Sequence, residues 1–86
     1  MIKIFYTPKF IRHYKKLPET LRIEVEEKVE LFRKDPQDSS LKFHKLKGKL
    51  KGYSSFSVNY AYRIIVQEDA KGVYALLAVG DHDVYK

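Results

Sequence analysis

The chain has 86 residues, enough for one small domain and too few for a second independent core. With 44% hydrophobic, 14% aromatic and 33% charged residues it falls outside the disordered and low-complexity classes, and without cysteine it excludes a disulfide framework or a thiolate metal site. Lys and Arg total 17 against 11 Asp and Glu, a net charge of +6 that points to a polyanionic partner.

Residues 2–7 are rich in β-branched and aromatic side chains and form a short first strand, which Pro8 stops. Thr7 before Pro8 reads as an N-cap with proline at the first helical position. Phe10, Ile11, Tyr14 and Leu17 then recur at helical spacing, with basic residues between them, so they predict a buried stripe. Pro18 ends that helix. A second helix starts at Glu19 with Leu21, Val25, Val29 and Phe32 on one face and ends at Asp35-Pro36, because a residue before proline is pushed out of the α region. The two helices form a hairpin with a tight Leu17-Pro18 corner.

Residues 37–40 make a polar loop, and residues 41–46 alternate apolar with basic in a segment that is extended or irregular. Gly48 and Gly52 mark turns. Over residues 53–59 Phe56 and Val58 point one way and Ser55, Ser57 and Asn59 the other. Residues 62–67 form the next strand, whose adjacent Ile64 and Ile65 predict burial on both faces and a central place in the sheet. A hairpin loop at 68–72 leads to a last strand at 73–79, broken by Gly80. The expected architecture is α+β, in the order β-α-α-β-β-β, with an antiparallel sheet carrying the N-terminal helical hairpin on one face. The other face has no helix left to cover it, so ligands are expected there.

The acids concentrate in residues 19–30, whereas residues 42–51 hold five lysines, His44 and no acid, which makes one surface strongly positive. The three histidines lack zinc-like spacing, so no metal and no cofactor are expected. No stretch approaches the roughly 18 apolar residues of a spanning helix. The expectation is a soluble, cytoplasmic protein with no membrane partner.

In order along the second half stand Leu46-Lys47-Gly48, Gly52-Tyr53, Tyr62-Arg63-Ile64-Ile65 and Val79-Gly80-Asp81-His82-Asp83-Val84-Tyr85. Their order and their spacing to the chain end resemble the RelE/ParE superfamily of toxin–antitoxin toxins, and the first half is compatible with it. The resemblance covers essentially the whole chain as a single domain, residues 1–86. It implies a RelE-like microbial RNase fold, a cognate antitoxin and one of two activities. RelE-like members cleave mRNA in the ribosomal A site without a metal, in contact with rRNA; ParE-like members act on DNA gyrase. A catalytically weakened member that mainly binds its antitoxin is a third possibility.

Metal-free RNA cleavage requires a group to deprotonate the 2′-hydroxyl, a proton for the leaving 5′ oxygen and donors for the charged phosphorane. His82 occupies the position that holds a catalytic His or Arg in RelE-like toxins, and an imidazole titrates near physiological pH; its plain alternative is a solvated tail residue. Arg63 matches the central-strand arginine of the family. Strand alternation places it opposite Tyr62, Ile64 and Val66, where its fork could grip a phosphate or form a salt bridge to Asp81 or Asp83. Tyr85 matches the C-terminal aromatic that stacks on a base in mRNA-cleaving relatives, although a chain end can also simply pack on the sheet. His44 lies where some relatives carry an additional catalytic His but ranks below His82, because in this alternating segment its plain alternative is a residue that only flanks Phe43. Lys42, Lys45, Lys47, Lys49 and Lys51 are candidate RNA contacts, or else a solubilising loop. His13 reads as a helix-surface residue. The family pattern also places an Arg, Lys or His six residues before the strand arginine, where this chain has Ser57, and Ser55 stands where some relatives have a catalytic Asp. The general base is therefore unassigned: His44 or a lysine of the loop supplies it, or the activity is weak.

Overall fold

The computed structural model describes residues 2–81 and Val84. The first strand, β1 (Lys3–Tyr6), runs into Thr7, which does two jobs. Its hydroxyl oxygen accepts the Phe10 N–H at 3.2 Å, capping helix α1 (Pro8–Lys15), and its O–H donates to the Leu76 carbonyl at 2.7 Å. The cap predicted from Thr7-Pro8 is therefore also a clamp onto the last strand. Helix α2 spans Glu19–Lys34 and buries Val25, Val29 and Phe32, as its periodicity predicts. In α1 only Phe10 is buried; Ile11 is 38% exposed, because so short a helix presents little more than one turn to the sheet. Tyr14 donates its phenolic hydrogen to Glu26 and so joins the two helices.

The sheet has five strands in the order β1-β5-β4-β3-β2. Strands β3 (Ser54–Ser57), β4 (Arg63–Ala70) and β5 (Val73–Gly80) form the expected meander, and β4 is central, with Ile64 and Ile65 both buried. Two features differ from the expected antiparallel sheet. β1 runs parallel to β5, with Lys3 opposite Val73 and Tyr6 opposite Leu76, so the sheet is mixed. The helical hairpin returns the chain before the meander is laid down, and the last strand then passes β1 in the same direction. A two-residue strand, β2 (His44–Lys45), also pairs with Ser55 and Ser54 at the opposite edge.

The core lies between the helices and one sheet face. It joins Phe10, Val25, Val29 and Phe32 to Leu41, Phe56, Val58, Ile64, Val66, Leu76 and Val79. Phe32 is its centre: its ring lies 4.4 Å from that of Phe56, 5.6 Å from Phe43 and 5.1 Å, edge-on, from Tyr74. Leu77 is an extra residue in β5, since Ile65 pairs with Ala78 while Val66 pairs with Leu76. That bulge lets both Leu76 and Val79 face the helices although they are three residues apart. The β4–β5 connection is tighter than the predicted 68–72 loop, because β4 continues to Ala70 and Gly72, at φ 75°, completes the turn.

Candidate functional site

Strand alternation and register place Arg63 on the face away from the helices, beside Ser57 on β3 and Gly80 on β5. Arg63 is half-buried and donates to the Ser57 hydroxyl. Ser57, where the sequence resemblance led one to expect a charged residue, thus serves as a tether for the arginine. The next row on the same face holds His44, Ser55, Ile65 and Ala78. Ser55, Ile65 and Ala78 are buried there, so this part of the face is not the open surface that the sequence led one to expect.

His44 is exposed and two strands from Arg63, a Cα separation of roughly 12 Å by sheet geometry. Its Nδ1 lies 3.0 Å from the Lys42 carbonyl oxygen. A carbonyl only accepts, so in the neutral ring Nδ1 carries the hydrogen and Nε2 keeps the lone pair. Nε2 is thus the nitrogen left able to accept a hydrogen bond.

The lysines divide into two groups. Lys42, at φ 50°, joins Lys28, Ser57, Asn59, Tyr60 and Arg63 around a recess of about 400 Å³. Lys45, Lys47 and Lys51 instead surround a separate concavity of about 500 Å³ with Tyr53 and Glu68. Lys45 stands in register with Ser54 and Val66, on the helix-bearing side of the sheet, so the basic loop is wrapped around an edge rather than laid on one face. Lys49 is exposed on the 3-10 turn Gly48–Leu50.

His13 is not simply a surface residue: its Nδ1 accepts the Val79 N–H at 3.3 Å, joining α1 to β5. Burial, together with Lys9, Lys16 and Arg12, holds its pKa below the ordinary imidazole value. It borders a recess with Lys16, Gly80, Asp81 and Val84. His82 and Tyr85, predicted as proton-transfer group and stacking ring, lie outside the described residues. Tyr60, 97% exposed beside Arg63, is a feature that sequence reasoning missed; the turn residues Asn59 to Ala61 after an alternating strand were the available signal. Across the molecule, Tyr6, Phe10, Ile11, Tyr14, Val25 and Val29 line an apolar groove of about 480 Å³ along the helical hairpin. No group of three or more His, Cys, Asp or Glu suited to a metal ion occurs among the described residues.

No protein-family model and no curated protein sequence matches the chain. Solved structures do. The RelBE2 toxin–antitoxin complex of Mycobacterium tuberculosis contains a chain with TM-score 0.79 at 20% identity, covering 94% of this chain and 98% of that one. YafQ from Escherichia coli gives TM-score 0.79 at 17% identity, covering 99% and 98%. The YoeB-YefM complex from Staphylococcus aureus gives 0.73 at 20% identity, covering 95% and 98%. The two helices, the five-stranded mixed sheet and these superpositions over nearly the full length establish that the chain has the RelE-like toxin fold.

Proposed function

We propose that the chain is the toxin of a type II toxin–antitoxin module, and that it acts as a metal-independent endoribonuclease cutting mRNA on the ribosome. The observation that carries this reading is Arg63, half-buried at the start of the central strand, tethered by Ser57 and sharing with His44 the sheet face opposite the packed core. A guanidinium fixed in that way is preorganised for a phosphate whose charge grows in the transition state.

In this mechanism His44 Nε2 removes the 2′-hydroxyl proton, the O2′–P bond forms, and the bond from phosphorus to the 5′ oxygen breaks. Arg63 holds the non-bridging oxygens throughout. His82 supplies the proton to the leaving oxygen and Tyr85 stacks on a neighbouring base, the roles that their sequence positions suggest. The products are a cyclic phosphate and a 5′-hydroxyl. The cognate antitoxin is the expected protein partner, and an acidic segment folding against the basic surface or the hairpin groove would neutralise the toxin.

The test is expression without a partner, with transcript ends mapped. Growth arrest with cuts confined to translated regions is the expected result. Arrest with intact transcripts and trapped gyrase–DNA complexes would move the chain to the ParE-like branch, a reading that the uncharged Ser55 and Ser57 favour.

A further inference from the structure

We propose that the recess bounded by the β3–β4 turn, α2 and the Ser39–Leu41 turn is a nucleotide subsite for single-stranded RNA, in which Tyr60 stacks on a base while Lys28 and Lys42 hold the phosphate next to the one at Arg63. The inference rests on the RNA reading of the Arg63 face and extends it to residues that the cleavage mechanism leaves unused.

Tyr60 is 97% exposed, so its ring contributes almost nothing to the core. The turn beneath it is nevertheless well fixed. Asn59 Oδ1 accepts the N–H groups of Ala61 and Tyr62, both at 2.9 Å, and the Val58 N–H reaches the Tyr62 carbonyl at 2.9 Å. Asn59 Nδ2 also donates to Glu24 Oε1 at 3.2 Å, anchoring the turn to α2. A large aromatic ring is thus presented to solvent from a braced backbone, which suits stacking because little ordering remains to be done on binding.

The cations around the ring come from three separate elements: Lys28 from α2, Lys42 from the end of the 3-10 turn and Arg63 from β4. Glu24 and Asp38 hydrogen-bond to residues that line the recess. Glu24 accepts from Asn59, and Asp38 accepts from the Ser40 N–H at 2.9 Å and from the Ser40 hydroxyl at 2.6 Å. The hydrogen bonds from Ser40, with the charge of Lys28, keep Asp38 below its ordinary pKa. The balance in the recess is positive. A volume of about 400 Å³ lined by cations, with one exposed aromatic ring at its rim, matches a nucleotide in size and chemistry. An acidic peptide would use the lysines and leave the ring without a role.

The chain has no tryptophan, so the Tyr60→Trp variant carries a single reporter. Titrating it with a 2′-O-methylated single-stranded oligoribonucleotide, which can bind but cannot be cut, should quench its emission. Tyr60→Ala should weaken binding of the same labelled oligonucleotide by about five- to a hundredfold, and Tyr60→Phe should restore most of it. Lys28→Ala should lower the log–log salt slope by about 0.7. Unchanged affinity in Tyr60→Ala, or emission that responds to an acidic peptide and not to the oligonucleotide, would overturn the subsite. Its failure is separable from that of the nuclease reading: mRNA cutting with Tyr60→Ala at wild-type affinity removes the subsite alone. Tyr60-dependent binding without any mRNA cutting supports the subsite and removes the nuclease.

Discussion

Among single residues, Arg63 and Ser57 were the most legible. Period-two alternation puts Arg63 opposite Ile64 and Val66, and the same rule puts Ser57 opposite Phe56 and Val58, so that both reach one face. Alternation does not reveal a hydrogen bond across strands, which is why Ser57 read as a loss and is found tethering the arginine. His13 was less legible, since its partner is a backbone N–H 66 residues away. It carries a prediction. The folded pKa lies below the unfolded value of about 6.5, so in the window between them the unfolded chain binds the extra proton and stability falls as pH falls. This contribution is complete above about pH 6.5 and disappears as pH drops through the folded value. Thermal denaturation from about pH 7 to about pH 5 should therefore show a steeper loss of Tm in the wild type than in His13→Gln, whose amide oxygen can still accept from Val79. Equal slopes would show that His13 titrates alike in both states.

Elements differ in how much of them is written locally. α2 carries its own periodic stripe, charged ends and a terminating Asp35-Pro36, and it folds over the residues that the pattern names. β4 declares its central position through two adjacent isoleucines. The segment from Gln37 to Gly52 does not declare itself. Its 3-10 turn is set by the Asp38 side chain, and β2 has only two residues, whose pairing depends on a strand ten residues later. The Leu77 bulge was hidden for a similar reason: Ala75 to Val79 reads as a continuous apolar run, and only the partner strand shows which residue is extra. The element that carries most of the packing is α2 through Phe32. Phe32→Ala should cost about 3–5 kcal/mol, because three aromatic neighbours cannot all collapse into the space. For a domain of this size that lowers Tm by at least about 12 °C. A loss below about 1 kcal/mol in chemical denaturation would contradict this placement of the core.

At the scale of the whole molecule, composition located the charge but not its geometry. The clustering of lysines at 42–51 is a fact of sequence; that Lys42 sits with Arg63 while Lys45, Lys47 and Lys51 gather around the far edge depends on the register of β2. The parallel β1–β5 pairing was equally illegible, because nothing within Lys3–Tyr6 specifies a partner 70 residues away. The division of the lysines makes a quantitative expectation. If a short single-stranded oligonucleotide sits in the recess shared by Lys42 and Arg63, as proposed, Lys42→Ala should lower its log–log salt slope by about 0.7, and Lys45→Ala or Lys51→Ala should leave it unchanged. On the ribosome, whose RNA can reach both sides, all three substitutions should lower the slope. Identical effects of the three on the short oligonucleotide would mean that the two basic regions act as one.

The central claim is that Arg63 stabilises the charge of a phosphate under attack while mRNA is held on the ribosome. Its most direct test is the single-turnover rate at which the purified chain cuts a defined mRNA in the A site of purified ribosomes, measured for the wild type and for Arg63→Ala with equal folded fractions. The account predicts cutting by the wild type and a rate lower by about 10²–10³ in Arg63→Ala, the usual loss when one preorganised donor is removed from a charge-stabilising site. No cutting by the folded wild-type chain, or an undiminished rate in Arg63→Ala, would contradict it.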